Sequence, residues 1–286
     1  VYAGRNASPA DTSPRFMDTV SVVIEETEYP VDIEWIDPAE GRCRLPLTPA
    51  QGERLLPETF APIRDINNEH FRSSRPGMGY CESTRSLLPC ESRLEMWALT
   101  MLDFEGEIES ISSQPFTLHF RPNRTPTAHT PDFFYRTHSG EGVVVDVKDT
   151  TFLDSKKTQM QFRASQEACE ATGWTYRVIQ TPPTDLRENI AMLAGHRTAP
   201  PAYERYLSEI YTILQEGPLD WDYLVAAIED NTGAHPYFIP PLLFHGIWSH
   251  HLFVDLRQPL NSRSLVSMTD WHFTIKPYSF IERTAV

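Results

Sequence analysis

The sequence predicts an α/β protein: a mixed sheet flanked by helices, followed by a smaller C-terminal unit of three helices and short strands. Three observations carry that expectation. Residues 85–180 switch between a helical apolar period and short strand-like runs. A proline-bearing linker, AGHRTAPPA, interrupts the chain at 194–202, and beyond it the apolar pattern is mostly helical. The expected units are therefore a leader and hairpin region at 1–84, a central α/β unit at 85–195 and a C-terminal unit at 196–286.

Residues 1–15, rich in Ser, Pro and Ala, read as a loosely ordered leader with no apolar signal-peptide segment. TVSVVIEETEY and PVDIEWIDPAEGRCRLPL then alternate apolar and polar positions around a Pro-Ala-Glu-Gly turn, as a hairpin does. Residues 57–88, with three prolines and two glycines, read as irregular chain that wraps over its neighbours. A helix is expected over 89–104, where Leu94, Trp97, Ala98, Met101 and Leu102 share one face and Pro89 suits the first helical position. Strands follow at PFTLHF, PDFFYR and VVVDVKD, then a helix over 154–171 closed by Gly173, then the strand TYRVIQT. Past the linker, YERYLSEIYTILQ, LDWDYLVAAIED and IPPLLFHGIWSHH read as helices, and LFVDL and LVSM as short strands, the pattern of a winged helix-turn-helix.

The chain has 286 residues and a formal charge of −14, an awkward balance for binding nucleic acid, whose phosphates demand cations. Of the five segments 1–84, 85–120, 121–165, 166–195 and 196–286, only 121–165 is net basic, with seven Lys and Arg against five Asp and Glu. No run of about 18 apolar residues points to a membrane. Cys43, Cys81, Cys90 and Cys169 form no CxxC pair, so reduced thiols in a cytoplasm are expected.

The basic segment also holds the strongest chemical pattern. In HTPDFFYRTHSGEGVVVDVKD, a hairpin brings Asp132 and Asp146 side by side, and Lys148 shares a strand face with Asp146. Two carboxylates and an ammonium at one spot suit phosphodiester hydrolysis: the acids hold Mg²⁺, with Val147 adding its backbone carbonyl, and the lysine orients water or steadies charge on phosphorus. A solvated, charged hairpin has the same local sequence. What distinguishes the two is the surroundings, a glutamate-bearing helix before the strands and a helix with Lys156, Lys157 and Arg163 after them.

Pro131-Asp132 followed by Asp146-Val147-Lys148 is the PD-(D/E)xK pattern, and the longer stretch resembles the N-terminal domain of TnsA, the endonuclease subunit of heteromeric transposases. The similarity rests on Ser92-x-x-Glu95, Leu102-Asp103-Phe104, Gln114-Pro115-Phe116, Pro131-Asp132 and Asp146-x-Lys148, and it covers roughly residues 60–180. It implies a restriction-endonuclease-like fold and Mg²⁺-dependent cleavage of double-stranded DNA at the 5′ ends of an element, with Mn²⁺ as a substitute metal. It also implies a DDE transposase subunit and an AAA+ ATPase regulator as partners, in a bacterial cytoplasm and on the nucleoid when active. Carried over residue by residue, Glu95, Asp132 and Asp146 are the metal-binding acids and Lys148 the catalytic lysine. Glu91, one turn earlier, stays open as the helix ligand, and the third acid is Asp where longer side chains also occur.

Gln114, Lys156, Lys157 and Arg163 are candidate DNA contacts, each with a plain alternative: a buried glutamine fixing a loop, and a solvated helix face. His129 reads as a strand-edge residue with no role, Trp97 and Trp174 as core, and His250-His251 as no zinc site for want of companion ligands. The expected third C-terminal helix, IPPLLFHGIWSHH, carries no Lys or Arg, so it suits docking or core packing better than reading DNA. Two further functional readings stand beside the transposase one: a nuclease of phage defence or restriction, and a non-catalytic winged-helix adaptor.

Overall fold

In the computed structural model, residues 31–64, 75–121 and 125–268 are described. The expected leader and the segment TVSVVIEETEY lie outside them.

Strands β1 (Asp32–Asp37) and β2 (Gly41–Pro46) form the expected hairpin. Its turn is closed by Asp37 Oδ1, which accepts from the N–H groups of Ala39 and Glu40, and by Gly41 at φ +82°. A one-turn helix, α1 (Pro49–Gly52), follows. The stretch expected to be irregular ends instead in a second hairpin, β3 (Gly77–Cys81) and β4 (Ser86–Cys90). It buries Gly79, Cys81, Leu88 and Cys90 on one face, and its Gly-rich, Pro-containing strands hide the alternation that would have announced it.

Helix α2 (Arg93–Glu105) begins four residues later than expected, because Pro89 lies in β4 and Ser92 is the N-cap. Ser92 Oγ accepts from the Glu95 N–H (3.1 Å) and donates to Glu95 Oε1 (2.8 Å), a capping box. The helix ends at Gly106, in the left-handed region.

The central sheet runs β10-β9-β8-β5: β5 (Ile108–Ser113), β8 (Phe133–Thr137), β9 (Gly142–Lys148) and β10 (Thr175–Gln180). Only the β9–β10 pair is parallel. PFTLHF is a strand, β6 (Phe116–Phe120), but it belongs to a second sheet, β2-β1-β6-β7, with β7 at Thr127–His129. The place expected for it in the central sheet is filled by β5, whose sequence IESISS has too few apolar residues to declare a strand.

Alternation along β8 and β9 divides the core in two. Phe133, Tyr135, Val143, Val145 and Val147 face α2, while Phe134 and Val144 face the second sheet and α3 (Lys156–Thr172). Trp97 is buried in the first core and Trp174 in the second. Helix α3 has Ser155 as N-cap and Gly173 as its left-handed terminator.

Helix α4 (Thr184–Leu193), not anticipated from the sequence, leads to α5 (Tyr203–Leu214), β11 (Leu219–Asp220), α6 (Trp221–Thr232), α7 (Ile239–Trp248), β12 (Leu252–Phe253) and β13 (Leu265–Met268). The three strands pair in the order β11-β13-β12. Helix α7 is mostly buried, as its composition requires. This region shares the α2-side core. Asp103 on α2 accepts from Arg197 Nε (3.1 Å) and from the N–H groups of Glu82 and Ser83, and His250 Nε2 lies 2.6 Å from the Phe104 carbonyl oxygen.

All four cysteines are free thiols. Among the described residues no helix is long and apolar enough to cross a membrane.

Candidate active site

Asp132 sits just before β8, and its position is fixed from three sides. Its N–H donates to the Val145 carbonyl (3.0 Å), its own carbonyl accepts from the Gln114 N–H (2.9 Å), and its Oδ2 accepts from the Val147 N–H (2.6 Å). The last bond ties the Pro-Asp corner directly to the Asp-Val-Lys strand. In a strand, N–H and C=O of one residue leave by the same edge, so the Val147 carbonyl also faces the start of β8, while the Val147 side chain enters the core.

Asp146 is 2% exposed and points to the α3 side of the sheet. His129 Nε2 lies 2.8 Å from its Oδ1 and 2.9 Å from its Oδ2; Tyr176 OH (2.5 Å) and Ser165 Oγ (3.2 Å) donate to Oδ2. Burial pushes its proton affinity up, but the His129 charge and the hydrogen bonds from His129, Tyr176 and Ser165 more than offset it, leaving Asp146 below the ordinary carboxylate range. Tyr176 is driven the other way, well above a normal phenol, by burial and by the Asp146 charge. Lys148, two residues on, is partly buried on the same strand face.

Asp132 is pushed well above its ordinary value, first by burial, then by the negative charges of Glu95 and Asp146; the Val147 N–H and Lys148 offset this only in part. Glu95 is 7% exposed and is also raised, by burial, although the Glu91 N–H (2.7 Å, to Oε2) and Ser92 Oγ oppose the shift. Asp132 is thus the electrostatic neighbour of both Glu95 and Asp146, and their charges on it are only partly offset. Glu91 lies outside α2, ahead of its cap, and pairs with Arg64 at 3.0 Å.

Asp132 carries the repulsion of Glu95 and Asp146 that a divalent cation would relieve, and Asp146 Oδ1, taken only by His129, keeps an acceptor site. Among the described residues no group of three His, Cys, Asp or Glu side chains is placed where it could hold a metal ion; Glu95 is bonded to Ser92 and the Glu91 N–H, and Asp146 is held by its three donors.

The other candidates lie on α3 and at the end of β5. Lys156 and Lys157 are exposed in the first turn of α3, and Arg163 is paired with Glu167 at 3.2 Å. Gln114 is 1% exposed beside Asp132. His129, expected to have no role, instead lies within hydrogen-bond distance of both Asp146 carboxylate oxygens, and Ser165 and Tyr176 were not anticipated. Their sequence separations from Asp146 give no local signal; only the crossing of β7, α3 and β10 brings them together.

A mixed sheet with a Pro-Asp corner clasped to an Asp-x-Lys strand is consistent with an endonuclease-like fold. Residues 105–181, which span β5 to β10, match the family described as TnsA-like endonuclease N terminal. The match includes Asp132, Asp146 and Lys148 and stops short of Glu95. No curated protein matches the chain. The family supports a nuclease of a heteromeric transposase, acting on DNA.

Proposed function

We propose that the chain is a divalent-metal-dependent DNA endonuclease that cuts the 5′ ends of a mobile element, working beside a DDE transposase and an AAA+ ATPase in a bacterial cytoplasm. The observation that carries this is the clasp between Asp132 Oδ2 and the Val147 N–H, which unites the Pro-Asp corner with the Asp-x-Lys strand under the charge of Glu95.

Glu95, Asp132, Asp146 and the Val147 carbonyl would hold Mg²⁺ or Mn²⁺, which when bound activates water and neutralises phosphate charge. Glu95 is favoured over Glu91 because its charge bears on Asp132 while Glu91 is engaged by Arg64. Lys148 orients the attacking water and stabilises the crowded phosphorus. His129, Tyr176 and Ser165 hold Asp146 ionised within an apolar wall. Lys156 and Lys157 sit at the positive end of α3, where they oppose the helix dipole but suit a phosphate backbone. The order α5-β11-α6-α7-β12-β13 supports a winged helix, and the burial of the uncharged α7 in the α2-side core supports core packing rather than reading DNA.

The test is nicking of a plasmid bearing the element's end by the assembled proteins. Asp132→Asn and Lys148→Ala should each lower the 5′ nicking rate by at least about a thousandfold, with circular dichroism unchanged. Undiminished nicking by either variant would remove the assignment.

A further inference from the structure

Gln114 stands at the end of β5, across from Asp132, and every part of it is expensive. Its φ is +45°, the left-handed region that favours glycine. Pro115 follows, which biases the preceding residue toward extended conformations. Its backbone is nonetheless pinned: the N–H donates to the Asp132 carbonyl (2.9 Å) and the carbonyl accepts from the Ile63 N–H (3.0 Å). Its side chain is buried, yet neither Oε1 nor Nε2 has a hydrogen-bond partner among the described residues.

A glycine would meet the backbone demand and an apolar side chain would meet the burial. Neither explains a carboxamide. Burying an amide without partners costs about 1–3 kcal/mol, and strained, unsatisfied residues of this kind concentrate where ligands bind.

Resting on the nuclease reading, we propose that Gln114 is a substrate-binding residue whose Nε2 donates to a non-bridging oxygen of the scissile phosphodiester, holding it against Asp132 and Lys148. Of the groups that cleavage brings to Asp132, the phosphate is the one rich in acceptors, and a neutral donor can approach it without adding to the charge crowded around the three acids. The backbone bond from Gln114 to Asp132 makes the two move as one unit, so phosphate and acid are aligned by the same strand end.

The test compares wild type with Gln114→Met, which keeps the volume and removes the amide, by thermal unfolding and by nicking kinetics of the full chain with its transposase partners on a plasmid bearing the element's end. Expected are a Tm equal to or above wild type and a kcat lowered more than about tenfold, the range of one hydrogen bond to a charged group, with KM within about threefold. A Tm lowered by several degrees would make the amide a structural group and overturn the proposal. So would kcat and KM both unchanged, whereas a loss in KM alone would still mark a contact to the bound phosphate. A wild-type complex that never nicks overturns the nuclease reading and this inference with it; a nicking wild type beside an equally active Gln114→Met overturns this inference alone.

Discussion

Asp146 is a buried carboxylate that remains an anion because His129, Tyr176 and Ser165 all direct hydrogen bonds at it. Removing one partner of such a group leaves charge in the apolar interior. His129→Ala should therefore cost about 3 kcal/mol in urea unfolding at neutral pH, and a double-mutant cycle with Asp146→Asn should show coupling above about 1 kcal/mol. A variant as stable as wild type would deny His129 this role. The proton affinity of Asp146 is lower folded than unfolded, so its stabilisation is complete above about pH 4 and is lost as pH falls through the folded value. The acid-limb slope of stability against pH should flatten in His129→Ala. Asp132, shifted upward, acts with the opposite sign: its ionisation destabilises the metal-free protein as pH rises through its folded value.

At the scale of the element, α2 shows how capping and chemistry share residues. Ser92 and Glu95 close the first turn reciprocally, and the same Glu95 carboxylate bears on Asp132. Ser92→Ala should cost about 1 kcal/mol, read as a lower urea midpoint at constant m-value. A midpoint equal to wild type would show the cap to be dispensable. The Ser-x-x-Glu spacing is legible in the sequence, whereas Pro89 draws the expected helix start too early because an apolar, proline-bearing strand runs straight into the cap. β5 is illegible for a related reason: its serines line a buried edge, Ser112 donating to the Pro57 carbonyl, so it lacks the apolar alternation of an ordinary strand.

Over the whole molecule, charge is the governing quantity. In a chain at −14 whose net-basic segment is 121–165, the exposed pair Lys156 and Lys157 should dominate the electrostatics of duplex binding. The double variant Lys156→Ala/Lys157→Ala should reduce the slope of log K against log salt by about 1.8, or 0.9 for each phosphate that a lysine no longer neutralises, measured by fluorescence anisotropy with an element-end duplex. An unaltered slope would place the phosphate-binding cations elsewhere. The same scale explains how the C-terminal region relates to the site. It shares the α2-side core, and Arg197 clamps Asp103 on the helix that bears Glu95.

The sequence by itself determined the hairpin that carries Asp132, Asp146 and Lys148, the Ser-x-x-Glu spacing at Glu95, and the Gly173 terminator of α3. Each depends on neighbours a few residues apart, through strand alternation, turn chemistry or capping. It could not show that PFTLHF leaves the central sheet for a second one, that Glu91 is taken by Arg64, or that His129, Tyr176 and Ser165 converge on Asp146. Those outcomes depend on which strands pair and which helices cross, and residues 17 to 30 positions apart in sequence meet only after the core of each sheet face has closed. Gln114 lies between the two cases: its Gln-Pro motif is visible in the sequence, but the left-handed backbone and the unpartnered amide beside Asp132 belong to the folded chain alone.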